Sequence, residues 1–198
     1  MVQLSFKVPF SKTLYIERDD FRETPPPKYY RLYPGQEVRL RYGYFVKCVG
    51  FDKDPKTGEV TAVHCTHDPA TRGGDSPDGR RVKSTIHWVS AEHSRIAEVR
   101  LYDRLFAVEN PTDVPDDVDW LTTVNPNSLE VIHDARIEPA LSEAPVGSRW
   151  QFERLGYFSV DPDSKPGKLV FNRIVTLKDT WAKIEKRSQE SEYRKGSR

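Results

Sequence analysis

The chain has 198 residues and a mass of 22.9 kDa, with 36% apolar, 31% charged and 11% aromatic residues and a mean hydropathy of −0.70. It is long enough to bury a core without a disulfide or metal staple, and its aromatic content argues against wholesale disorder. No stretch approaches the roughly 18 consecutive apolar residues of a membrane-spanning helix, residues 1–10 lack the basic-then-apolar order of a secretory signal, and two cysteines, Cys48 and Cys65, are too few for a disulfide scaffold. A reduced, cytoplasmic setting follows as the expectation. The net charge of +1 conceals an uneven spread: +4 over residues 1–108, −8 over 109–143, −1 over 144–164 and +6 over 165–198. A polyanion binder with an acidic face turned away from its ligand has this pattern. Ordinary solvated surface has it too, and charge alone does not separate the two.

Strand signals dominate the chain order. Thr13-Leu14-Tyr15-Ile16 is a short strand, and Pro25-Pro26-Pro27 is an extended connector that neither a helix interior nor a central strand tolerates. A domain boundary is expected there. Residues 29–33 form the next strand, then a Pro34-Gly35 turn, then a long strand over 37–48 with Val38 and Leu40 on one face and Arg39 and Arg41 on the other. Pro55-Lys56-Thr57-Gly58 is a hairpin turn, with residues 60–66 returning as its partner strand. Centring that hairpin between Lys56 and Thr57 sets Cys48 opposite Cys65. Residues 68–80 are turn-rich. Strands are expected over 83–89, 96–101, 104–108, 129–135, 149–153, 156–160 and 169–175. Residues 109–128, with Pro111, Pro115 and Pro126, read as an irregular acidic loop. The spacing of Leu177, Trp181 and Ile184 allows a short C-terminal helix, and the polar tail beyond it reads as disordered. About ten short strands with turns every 8–12 residues define an all-β fold of the barrel or sandwich kind.

Enzyme signatures are missing. There is no GxGxxG, no GxxxxGK[ST] and no GxSxG. His64-Cys65-x-His67 has metal-like spacing, but on a strand His64 and Cys65 point to opposite faces and cannot share one ion. His87 beside Trp88 has no specified partner for base catalysis, and a structural histidine is the simpler reading. More informative is the mixing of cations with rings in Lys28-Tyr29-Tyr30-Arg31-Leu32-Tyr33 and in Arg39-Leu40-Arg41-Tyr42-Gly43-Tyr44. Guanidinium forks read base edges and phosphates, while rings take the faces of unstacked bases. Tyrosine also simply fills half-buried strand positions. In Trp150-Gln151-Phe152-Glu153-Arg154, alternation puts Trp150, Phe152 and Arg154 on one face and Gln151 and Glu153 on the other. Gln151 and Arg154 together suit one base edge, if a twist or bulge brings them together.

Several elements, taken together, resemble one family. Val8-Pro9-Phe10-Ser11 and Tyr15-Ile16-Glu17-Arg18-Asp19-Asp20-Phe21-Arg22 are similar to the start of the C-terminal region of the glutaminyl-tRNA synthetases. So are Gly79-Arg80-Arg81-Val82-Lys83, Ile86-His87-Trp88-Val89-Ser90, Val99-Arg100-Leu101-Tyr102-Asp103-Arg104-Leu105-Phe106, Phe171-Asn172-Arg173 and Asp179-Thr180-Trp181-Ala182-Lys183. These elements lie in order over residues 8–183. The His-Trp-Val element is shared with the archaeal-type glutamyl enzyme, whereas the Leu-Tyr-Asp-Arg-Leu-Phe and Phe-Asn-Arg elements argue for the glutaminyl one.

The resemblance implies two β-barrels of the ribosomal L25-like anticodon-binding kind, the second inserted between segments of the first. A proximal barrel would comprise residues 1–25 plus 109–182, a distal barrel residues 26–108, and a polar tail residues 183–198. It implies a piece of a longer protein, a ligase whose upstream catalytic domain binds ATP with Mg. This piece would hold no cofactor, metal or catalytic residue. The partners implied are the anticodon stem-loop of tRNA(Gln) and the protein's own catalytic domain, with no membrane and a monomeric state. By matched position, Arg31 would read the third anticodon base and Arg39 the first, and Gln151 with Arg154 the middle base, U. Arg41 would neighbour a phosphate. An upstream arginine would assist at the middle base. Tyr30 stands where a well-known bacterial member has lysine and Lys28 where it has glutamine, so the third-base pocket would be built differently, with Lys28 as charged partner or Tyr30 as stacking ring. A free-standing barrel that binds ribosomal RNA and a protein-interaction domain are the rivals.

Overall fold

In the computed structural model, residues 7–177 are described, and they divide into two units between Ser94 and Arg95. The chain is almost entirely β, with only 3-10 turns for helix among the described residues.

In the first unit, β1 (Leu14–Ile16) pairs with β6 (Trp88–Ser90). A second sheet has the order β4-β3-β2-β5, from β2 (Glu37–Leu40), β3 (Phe45–Lys53), β4 (Val60–Asp68) and β5 (Thr85–Ile86). The alternation of β2 is realised: Val38 and Leu40 are buried, while Arg39 and Glu37 are partly exposed. These two residues join Phe21, Leu32, Val46, Cys48, Ile86 and Trp88 in one core, against which Leu14 and Ile16 pack. The β3–β4 hairpin sets Cys48 opposite Cys65, as its turn predicts. The register shifts after Cys48 and shifts back after Asp52, leaving Val49 out on the surface. Gly58 supplies the left-handed turn position at φ 72°, and the Asp54 carboxylate accepts from the backbone N–H groups of Lys56 and Thr57.

The second unit is one sheet of order β8-β7-β11-β10-β9. Its strands are β7 (Arg95–Tyr102), β8 (Leu129–Ile137), β9 (Arg149–Phe152), β10 (Gly156–Val160) and β11 (Leu169–Thr176). β7 and β11 run parallel, and the other pairs are antiparallel. Ala97, Val99, Ile137, Phe158, Val160, Leu169 and Phe171 form its core. Each sheet is open as hydrogen-bonded, with edges β4 and β5 in the four-stranded sheet and β8 and β9 in the five-stranded one.

Several expectations are revised. The single long strand over 37–48 is two strands, because Gly43 N–H closes onto Leu40 O at 2.8 Å and Tyr42 takes a positive φ of 56°. Residues 29–33 and 104–108 are not strands. Each keeps one isolated bridge, Phe21 to Leu32 and Phe106 to Val124. The acidic loop contains a 3-10 turn, Trp120–Thr123, capped by the Asp119 side chain. By contacts the chain divides after Ser94, with β1 paired to β6 in the first unit and β7 paired to β8 and β11 in the second. The expected C-terminal helix and tail lie outside the described residues beyond Leu177.

Candidate nucleic-acid interface

In the first unit, the triple proline ends in a tight turn. Tyr29 N–H donates to Pro26 O at 3.2 Å, and Lys28 takes a positive φ of 66°. The chain then runs beside residues 19–22, where Leu32 N–H donates to Asp20 O and Arg22 N–H to Leu32 O. This alignment brings Arg31 onto a fully buried carboxylate. Its Nη1 lies 3.1 Å from Asp20 Oδ1 and donates to Asp19 O at 3.2 Å. The Tyr29 hydroxyl donates to the same Asp19 oxygen at 2.9 Å, and burial pushes its pKa up. One nitrogen of Arg31 is thus pinned, while Nε and Nη2 have no partner among the described residues. A fork held at one corner, with an open edge, can meet a base or a phosphate.

Arg39 is held differently. Its Nη2 donates to Asp75 Oδ1 at 2.8 Å, its Nη1 donates to Gly74 O, and its guanidinium stacks 4.5 Å from the Phe45 ring centroid. Asp75 is fully exposed. The Arg39 side chain is only 20% exposed, so the pair is open to solvent on its carboxylate side alone, and it is there that a competing anion or base edge can reach the guanidinium. Arg41 lies 4.7 Å over the ring of Tyr42, and its backbone carbonyl accepts from Trp88 Nε1 at 2.9 Å. Tyr42 is 76% exposed at the turn tip. It was not among the expected site residues, and the Tyr42-Gly43 pair inside an apolar-polar alternation was the available signal of that turn.

Lys28 and Tyr30 open onto a cavity of about 740 Å3, also lined by Tyr33, Lys47, Arg81 and Lys83. Arg80 anchors its wall. Its Nε is 3.0 Å from Glu37 Oε2, and it also bonds the carboxylates of Asp68 and Asp78. The Asp78 carboxyl is held down to about 2 by Ser76 first, then by the Arg80 backbone N–H and guanidinium. Asp68 is lowered too, chiefly by Arg80. A carboxyl whose folded pKa lies below its unfolded one stabilises the native state above the unfolded value, and this is lost as pH falls through the folded one. Comparing urea midpoints of wild type and Arg80→Ala should therefore show the widest gap at neutral pH. The gap should narrow as pH falls from 3.8 towards about 2. A gap independent of pH would contradict the ion-pair account.

In the second unit, β9 carries Trp150 and Phe152 towards the core, Phe152 stacking on Phe158 at 4.4 Å between centroids. Gln151 is exposed and directly opposite Tyr157, so the two share the outer face. The expected alternation stops at Phe152. Arg154 does not share the face of Trp150 and Phe152 as a strand residue: it occupies a left-handed turn position, φ 69°, closed by Leu155 N–H onto Phe152 O. Tyr157, 43% exposed, adds a ring to this outer face that strand composition alone does not mark as a site residue. Gly156 is obligatory here, since a Cβ would come within 2.3 Å of Val175 O.

His64 lies 2.8 Å from Asp52, and among the described residues no three His, Cys, Asp or Glu side chains gather as a metal site. Cys48 is buried, which pushes its thiol pKa up, while Cys65 opposite it lies exposed at the surface.

Two family models, both described as the anticodon-binding domain of class I tRNA synthetases (E and Q), match residues 4–68 and 85–161. The chain belongs to this family of anticodon-binding domains. Within it, the similar proteins are named glutamine–tRNA ligase. The one from Rhodopirellula baltica is 56% identical over 91% of this chain and 30% of its own length. The one from Bradyrhizobium diazoefficiens is 54% identical over 89% and 31%. The one from Proteus mirabilis is 51% identical over 91% and 32%. The chain thus spans about a third of the length of these relatives.

Proposed function

We propose that this chain is the anticodon-reading part of a glutamine–tRNA ligase and binds the anticodon stem-loop of tRNA(Gln). The observation that carries this is identity above 50% to ligases of that name across nine-tenths of the chain. In this reading Arg31 reads the third anticodon base, with Lys28 and Tyr30 beside it. Arg39 reads the first, and Gln151 with Arg154 the middle one. Arg41 contacts a phosphate. The geometry is compatible: Arg31 presents an open edge, and Arg39 has a displaceable partner. Activation of glutamine, with ATP and Mg, belongs to the parent's catalytic domain outside this chain. The parent acts as a cytoplasmic monomer.

Binding of the chain to stem-loops that differ at single anticodon positions tests the assignment. Arg39→Ala should lose discrimination at the first base, by about 1–3 kcal/mol for a lost fork on a base edge, while keeping its preference at the other two. Equal weakening for every stem-loop would make Arg39 a positioning residue instead.

A further inference from the structure

The chain has two cysteines, and the β3–β4 register sets them face to face. Four successive pairs run Phe45–Asp68, Val46–His67, Lys47–Thr66 and Cys48–Cys65 before the register shifts. Residues directly opposite in an antiparallel ladder point to the same face. The kind of pair matters as well. Cys48 N–H donates to Gln36 O at 3.0 Å, and Cys48 O accepts from Gly35 N–H at 2.9 Å. Both backbone groups of Cys48 are thus turned away from β4, which makes Cys48–Cys65 a non-hydrogen-bonded pair. Opposed Cα atoms in such a pair lie about 4.5 Å apart, within the roughly 4.4–6.8 Å that a disulfide spans.

The two thiols, both free, differ in access. Cys65 is exposed on β4, an edge strand, whereas Cys48 is 1% exposed in the core of the first unit. An open thiol beside a buried one suits a two-step exchange, in which the outer thiol takes the reagent and the inner one resolves it. The fold around the pair gives such a bond a consequence. Among the described residues β4 pairs with β3 alone, and all nine of its residues are exposed or half-buried. A strand with so few buried contacts opens locally at low cost, and a covalent bond to the core residue Cys48 opposes that opening.

We propose that Cys48 and Cys65 are a reversible thiol–disulfide site, oxidised by a small disulfide of the glutathione class, and that the bond locks β4 onto β3. The Cys65 thiolate attacks one sulfur of the reagent, whose S–S bond breaks and releases one small thiol. The Cys48 thiolate then attacks Cys65 Sγ, forming the Sγ–Sγ bond and expelling the second. The two cysteines lose two electrons and two protons, and the reagent gains them as two thiols. Excess small thiol runs both steps backwards. Burial raises the Cys48 thiol pKa, so the second step is the slower one. The proposal stands apart from what RNA the chain binds.

The test equilibrates the whole 198-residue chain with oxidised and reduced glutathione, quenches in acid, alkylates the remaining thiols and maps peptides by mass spectrometry. The expected product is a single chain lighter by two hydrogens, with the Cys48 and Cys65 peptides joined. Both thiols should be lost together, and dithiothreitol should restore both. Cys48→Ala should instead stop at a glutathione adduct on Cys65. The wild-type measurement decides the pairing by itself if that variant folds poorly. Amide hydrogen exchange over residues 60–68 should be slower in the oxidised chain than in the reduced one. Glutathione retained on Cys65 with Cys48 free, both thiols still free, or a bond between two copies would overturn the pair. An internal bond with unchanged exchange over residues 60–68 would overturn the lock.

Discussion

Phe171→Ala is expected to destabilise the second unit by about 3–5 kcal/mol, the usual cost of deleting a fully buried phenyl ring. Phe171 is 0% exposed. It lies on β11 and pairs across to Val99 on one side and Val160 on the other, so a void there unsettles both neighbouring strands. Its ring also meets Phe152 at 5.2 Å, the residue that carries the β9 turn towards Arg154. The loss should appear in urea unfolding followed by far-UV circular dichroism. Ile174→Ala on the same strand is the control, since Ile174 is 53% exposed and its truncation should cost within about 0.5 kcal/mol. Equal costs for the two variants would show that the Phe171 cluster is not the core of this unit.

Arg154→Ala is expected to relax selection at the middle anticodon base by about 1–3 kcal/mol. Arg154 sits where the chain leaves β9 in a left-handed turn, and Gln151 lies exposed on that strand opposite Tyr157. The comparison belongs in the full-length parent, where an upstream arginine is expected to share the middle base. Charging of wild-type tRNA and of variants at the middle base should converge in Arg154→Ala. If charging of every variant falls by one common factor, Arg154 positions the loop or supports the fold, and base reading by this turn is wrong.

Local pattern made part of this molecule legible. Period-two alternation placed Val38 and Leu40 inside, and turn chemistry at Gly58 fixed Cys48 against Cys65. What pattern cannot carry is pairing between distant segments. The parallel match of β7 with β11, which joins residues some seventy positions apart, leaves no local trace in the sequence. Residues 29–33 have strand composition, yet hydrogen bonds from Tyr29 and Arg31 to Asp19 O tie them to the 3-10 turn Arg18–Asp20 instead of to a ladder. At the site, Arg31 and Arg39 stood out by composition and family position. Asp20 and Asp75, which hold them, did not, because an acidic residue acquires that meaning only once folding places it beside its arginine. Lys83 was likewise invisible as a neighbour of Tyr30.

The most direct measurement is equilibrium binding of the chain to stem-loops carrying a glutamine anticodon and to stem-loops changed at each anticodon base, across a salt series. The expected result is tightest binding to the glutamine stem-loop, with loss on changing any of the three bases. Affinity should also fall steeply with salt, by a slope of about 0.7–0.9 for each phosphate contact. Equal affinity for every stem-loop, or a flat response to salt, would contradict the assignment of this chain as an anticodon reader.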